Sequence, residues 1–275
     1  MIKDILLNLA TGIDDDATID YAISLAQTCD AHLTAVAFGY DEIPPAMLAG
    51  EVPPAWIEEF RKEAQDAAQA AVGKFEPAAK RAGISSQAGW LPAGLAGPAE
   101  LFGRMARRFD LSVVRQAEPE RSTTAAVIIE AALFETGRPV LVVPYIQKTG
   151  VKLDRVMVCW DGSRSAARAV ADAMPLLQRA KTVEVVMAIE HGRSDEVPGA
   201  DIAQHLARHG LAVEVKQIVA PHVKTAHVLL SHAADTAADL LVLGGYGHSR
   251  LREFVLGGVT RTILETMTAP TLMSH

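Results

Sequence analysis

The chain has 275 residues, 49% of them hydrophobic and 21% charged, which is length enough for two ordinary α/β domains of roughly 100–150 residues each. Its formal net charge of −7 and pI near 5.7 leave no basic surface to neutralise a phosphate backbone, which argues against nucleic acid as a partner. The two cysteines, Cys29 and Cys159, lack a CxxC or Cys/His ligand spacing, so neither a disulfide framework nor a zinc site is indicated, and a reducing cytoplasm is the expected compartment.

The opening "MIKDILLNLATG" carries an apolar run too short for a secretory leader or a membrane span, so no membrane partner is expected. "KDILLNLATGIDDDATIDYAISLAQ" reads as a buried strand, a polar turn and an alanine-rich helix. A proline-rich stretch, "IPPAMLAGEVPPAW", follows and leads into a long helix, with Trp56 expected to tuck into the core. "FDLSVVRQ" from Phe109 and "RPVLVVP" from Arg138 are further short strands. The same grammar then repeats. "DRVMVCWDGSRSAARAVADAMPLLQ" from Asp154 restates the opening, with Ile5 on Val156. "ADLLVLGG" restates "FDLSVVRQ" with Asp110 on Asp239, and "APTLMSH" restates "RPVLVVP".

Each copy therefore reads as five short buried strands alternating with helices, the pattern of a parallel sheet covered on both faces. The expected strands of the second copy are Arg155–Trp160, Thr182–Ile189, Ala212–Val219, Leu240–Leu243 and Thr271–Met273. The junction is expected after Pro144, in "YIQKTGVKLD", giving domains at 1–147 and 153–275. Ligands on such sheets sit beyond the carboxyl ends of the strands, which directs attention to the loops after Trp160 and Leu243.

The second of these loops is "LGGYGHSRLREFVLGGVTRTIL". Gly244, Gly245 and Gly247 permit positive φ and close backbone approach, and Gly257 and Gly258 open the last helix, whose first-turn N–H groups and dipole can hold an anion. No GK[ST] occurs and "GYGHSR" fails the dinucleotide fingerprint, so any phosphate contact rests on loop and helix end. Glycines at a strand end and a helix start are equally common packing devices.

The tandem strands, the late "DLLVLG" strand and the G-2x-G-9x-G spacing of Gly244, Gly247 and Gly257 resemble the universal stress protein family in its double-domain form. The family pattern continues with Ser or Thr, where this chain has Gly258. The resemblance implies two tandem doubly wound five-stranded parallel-sheet α/β domains of the adenine nucleotide alpha hydrolase-like type. It also implies a stress-response or regulatory module that binds ATP or AMP, with Mg accompanying ATP. The implied site lies in the second copy. Cys159, Ala188 and Leu243 would line the base, Asp161 would contact the adenosine end, and Gly244, Gly247, Gly257, Gly258 and Val259 would supply backbone to the phosphates. His248 and the Thr260 hydroxyl are further candidates for the phosphate, with Arg250, Arg252 and Arg261 nearby. Asp161 has a local alternative, an Asp-Gly turn with Ser163 or Ser165 capping the helix, and His248 could equally support the loop.

In the first copy Ala10 stands in the place of Asp161 and Arg115 in the place of the first motif glycine, so that copy is expected to keep the fold without a nucleotide site. His222, His227 and His232, spaced by five, do not share one helical face and form no metal motif. No GxSxG elbow or other nucleophile arrangement is visible, so the expectation is no enzyme, or at most slow ATP hydrolysis. The alternative reading is a non-nucleotide interaction protein whose tandem domains mimic a family dimer, joined through "RPVLVVP" and "APTLMSH", with a true homodimer also open.

Overall fold

The computed structural model describes residues 1–39, 53–94, 97–118, 123–189, 199–220, 223–245 and 258–275. The first half runs β1 (Asp4–Leu9), α1 (Asp16–Cys29), β2 (His32–Gly39), α2 (Pro54–Ala82), β3 (Ser86–Pro92), α3 (Gly97–Ala106), β4 (Leu111–Arg115), α4 (Thr123–Phe134) and β5 (Val140–Val143). The second runs β6 (Arg155–Cys159), α5 (Arg164–Leu177), β7 (Thr182–Ile189), α6 (Ala200–Arg208), β8 (Val213–Val219), α7 (Thr225–Asp235), β9 (Leu240–Gly244), α8 (Gly258–Thr266) and β10 (Thr271–Ser274).

The strands form one 10-stranded sheet in the order β3-β2-β1-β4-β5-β10-β9-β6-β7-β8. Within each half every pairing is parallel. The halves meet where β5 runs antiparallel to β10, with Leu141 opposite Leu272. Alternation along each strand sends side chains to two cores. Ile5, Leu7, Val113, Leu141, Val156, Val158, Leu240 and Leu272 face the core roofed by α1, α2, α5 and α6. Leu6, Val114, Val142, Met157, Cys159, Leu241, Leu243 and Met273 face the core roofed by α3, α4, α7 and α8.

The strands nearest the junction are buried on both faces, which is why they read as continuous apolar runs. The outermost two are not. β3 and β8 are largely exposed, so the expectation of five buried strands per copy holds only for the inner ones; an edge strand has a neighbour on one side alone. A second correction concerns Trp56. It stands in the first turn of α2, half exposed at 50%, and the faces of α2 that reach the core carry Ala68, Ala71, Phe75 and Ala79 instead.

The sequence repeat is matched by repeated contacts. Asp110 accepts from the Lys3 and Asp4 amides at 2.8 and 3.1 Å; its counterpart Asp239 accepts from the Asp154 and Arg155 amides at 2.9 and 3.0 Å. Beside each clamp is a surface ion pair, Lys3–Asp30 at 2.7 Å and Asp154–Lys181 at 2.8 Å. The signs are exchanged between the copies, so the geometry of the pair persists while its charges do not. The connecting segment is strapped down: the Val151 amide donates to Ser24 Oγ at 3.0 Å, and a Cβ at Gly150 would lie 2.5 Å from that oxygen.

Candidate functional site

The carboxyl ends of β6, β7 and β9 bring several of the expected site residues together. Cys159 is the register partner of Leu243 and of Val186, with Ala188 two residues further along β7. Cys159 and Leu243 are core residues on one sheet face, and Ala188 packs against the same cluster. Burial, with the Asp161 charge adding to it, pushes the Cys159 thiol up to about 12, so it stays protonated and behaves as a small apolar side chain.

Asp161 is exposed in the loop that opens α5. Its Oδ1 accepts from the Ser163 amide at 2.9 Å, and Ser163 Oγ in turn accepts from the Ala166 amide at 3.1 Å as the helix N-cap. Gly162 between them has φ +74°, the left-handed conformation that favours glycine at such a turn. The local turn-and-cap reading is thus satisfied, and the carboxylate is still held at the surface beside the strand end.

Gly244 ends β9, and a Cβ on it would lie 2.6 Å from the Ser165 carbonyl carbon and 2.8 Å from Ala166 Cα, closer still to the Ala166 amide nitrogen. The glycine is therefore required by the first turn of α5, which presses on the strand end. At the other end of the loop Gly258 and Val259 are exposed at the start of α8, and Gly258 meets nothing within 4 Å of an added Cβ. Thr260 is turned inward, 4% exposed. Gly247, His248 and Gly257, with Arg250 and Arg252, lie outside the described residues. Arg261 is exposed and paired with Glu265 at 2.8 Å.

The first half places different chemistry at the corresponding point. Arg164, the first residue of α5, falls on Ile13 in the repeat, yet α1 begins only at Asp16. The missing turn leaves room that Arg115 fills. Its Nη1 donates to Asp14 O at 2.6 Å and lies 3.7 Å from Asp15 Oδ1, while Nη2 pairs with Glu118. Asp15, 3% exposed, accepts from the Ala10 amide at 2.9 Å through its other oxygen. Burial pushes the Asp15 carboxyl up, opposed by Thr18, the Ala10 amide and Arg115. Asp15 thus turns back on the strand end where Ala10 replaces Asp161.

Comparison with known proteins follows the same division. Residues 152–275 match the model of the Universal stress protein family. The family likeness therefore falls on the C-terminal half. A curated universal stress protein from Synechocystis sp. is 30% identical over 155 residues, a match that covers 52% of this chain and 49% of that protein; the matched part spans about half the length of that relative. Among solved structures, a universal stress protein from Archaeoglobus fulgidus DSM 4304 has a TM-score of 0.70 at 15% identity, covering 98% of this chain and 97% of its own. A Pseudomonas aeruginosa UCBPP-PA14 protein named for the same family has a TM-score of 0.64 at 13% identity, covering 99% and 93%. At those identities the likeness is one of fold, and it extends over the N-terminal half, whose strand order mirrors that of the C-terminal half.

Among the described residues of this universal stress protein fold there is no group of three or more His, Cys, Asp or Glu side chains that could hold a metal. No described helix is long and apolar enough to cross a membrane. His227 is exposed, while His232 reaches the buried Glu184 at 3.1 Å, part of a charge network with Arg155 and Glu214 at the opposite, amino end of the sheet. Gln116 was missed by sequence reasoning. The signal available for it was positional: in the repeat it falls on Gly245, so that "RQ" stands where "GG" stands.

Proposed function

We propose that the chain is a regulatory module that binds an adenine nucleotide, ATP or AMP, at the carboxyl end of the C-terminal half. The base would sit against the strand ends at Cys159, Ala188 and Leu243, with Asp161 at the adenosine end. The phosphates would meet the first-turn N–H groups of α8 and the loop that leads to it, where the helix dipole favours an anion. The observation that carries the reading is the contrast between halves. Asp161 stands exposed after β6, and Gly258 and Val259 stand exposed at the start of α8, whereas Arg115 and Asp15 fill the place in the N-terminal half that corresponds to the end of β9 and the start of α5. Binding rather than turnover is the activity this reading assigns.

The test is to denature purified protein, analyse the supernatant for adenine nucleotides, and titrate nucleotide-free protein with ATP and AMP by calorimetry up to millimolar concentration. One site per chain is the expected stoichiometry. No heat and no co-purified nucleotide would leave the non-nucleotide interaction protein as the reading to pursue. Two sites per chain would overturn the assignment of the N-terminal half.

A further inference from the structure

Helix α8, to whose first-turn amides the proposed site assigns the phosphates, is held at its other end by the N-terminal half. Gln116, the residue after β4, is 1% exposed, and its Nε2 donates to the Leu264 carbonyl at 2.8 Å. Leu264 lies in the last turn of α8, where helix carbonyls run out of amide partners. The Met267 amide still reaches Ile263 O at 2.8 Å, and the Leu264 carbonyl is taken up by Gln116. The donor itself is pinned, because the Gln116 amide donates to Val143 O at 2.8 Å.

The internal two-fold relation makes this contact asymmetric in an informative way. Gly245 occupies the place of Gln116, and its amide donates to Ser274 O at the same 2.8 Å. Leu133 of α4 occupies the place of Leu264. Gly245 has no side chain to donate, and the space is filled by Leu133, whose methyl carbons would lie 3.0 Å from a Cβ at Gly245. The helix of the half that keeps the glycine motif is therefore capped by a buried amide from its neighbour, while the opposite contact is apolar packing.

We infer that Gln116 is a positioning residue for the C-terminal nucleotide site, through which the N-terminal half sets where the first-turn amides of α8 stand; this rests on the nucleotide reading above. From Leu264 back to Gly258 the helix is a rigid rod about 9 Å long, so an axial shift at the capped end is carried to the amides at the other. Gln116→Met keeps length and removes the donor, and Gln116→Glu keeps shape and presents an acceptor to the carbonyl. Ile202→Val, in the core on the opposite sheet face, serves as a variant that lowers melting temperature without touching α8.

Calorimetric titration of the full chain with ATP is expected to show affinity about five- to tenfold weaker for either Gln116 variant, the range one neutral hydrogen bond represents. Ile202→Val is expected to keep the parent affinity despite its lower melting point. In the unliganded Gln116 variants, the Val259 and Thr260 amide resonances are expected to move. Parent affinity in a folded Gln116 variant overturns the inference while leaving the nucleotide reading intact. Failure of the unaltered chain to bind ATP or AMP at millimolar concentration removes the nucleotide reading itself.

Discussion

At the level of single residues, two positions decide how an anion could be held. The family motif places a hydroxyl where this chain has Gly258, and Thr260 is too buried at 4% exposure to stand in for it at the surface. Gly258 is exposed at the helix start, carries no left-handed φ, and has open space around a Cβ. Gly258→Ser is therefore expected to fold unchanged and to bind ATP about tenfold more tightly, the increment of one hydrogen bond to a charged group at about 1.5 kcal/mol. Calorimetric titration against the parent chain checks this, and equal or weaker binding would remove the α8 amides from the phosphate contact. In the N-terminal half Asp15 makes a different prediction. Its folded pKa is raised from 3.8, burial being the largest cause, so its contribution to stability is full below that value and is lost as pH rises through the folded pKa. Asp15→Asn has no such titration. The stability difference, parent minus variant, is expected to fall as pH rises above about 4 in urea unfolding, and a flat difference would mean that Arg115 fully compensates the buried charge.

At the level of elements, what distinguishes the two halves is where a helix begins. α5 starts at Arg164 and lays its first turn on Gly244, whereas α1 starts late, at Asp16, and Arg115 occupies the room. Gly244→Ala forces a methyl group into the backbone of Ser165 and Ala166, which cannot rotate aside as a flexible side chain could. The expected loss is about 3 kcal/mol, the upper part of the range for overpacking, read from chemical denaturation; a loss under about 0.5 kcal/mol would show that the α5 turn yields freely. The glycine pattern was legible in sequence, but whether a glycine serves a ligand or a neighbouring helix was not, because both need the same missing Cβ. The inner strands were legible because double burial writes itself as an apolar run, and Thr182–Ile189 was read to the residue. Trp56 was misplaced for the converse reason: a large apolar side chain has no obligation to be buried at the exposed start of a helix. Gln116 was invisible because a side-chain amide capping a carbonyl of another half leaves no local periodicity.

At the level of the whole molecule, both cores run the full width of one sheet, so the two halves share structure rather than merely touch. Leu141 of β5 and Leu272 of β10 are register partners across the antiparallel seam, each fully buried in the same core with residues from both halves. Gln116 crosses to α8 on the other face, Val151 and Leu153 of the connecting segment pack against the core from α1's side, and Ser24 holds that segment by the Val151 amide. A chain built from two independent domains would unfold in two steps, with a substitution in one leaving the other's transition in place. Here the seam makes each half part of the other's solvent shield. Removing the Leu141 side chain exposes or cavitates a region lined by both, at a cost of about 2–5 kcal/mol. Leu141→Ala and Leu272→Ala are accordingly expected to lower one shared calorimetric transition by similar amounts, with the calorimetric and van't Hoff enthalpies remaining equal. Two resolved transitions, of which only one moves with each substitution, would show that the seam joins the halves without coupling their stability; nucleotide binding would then have to stabilise the C-terminal transition alone, whereas a single transition must rise as a whole when ligand binds.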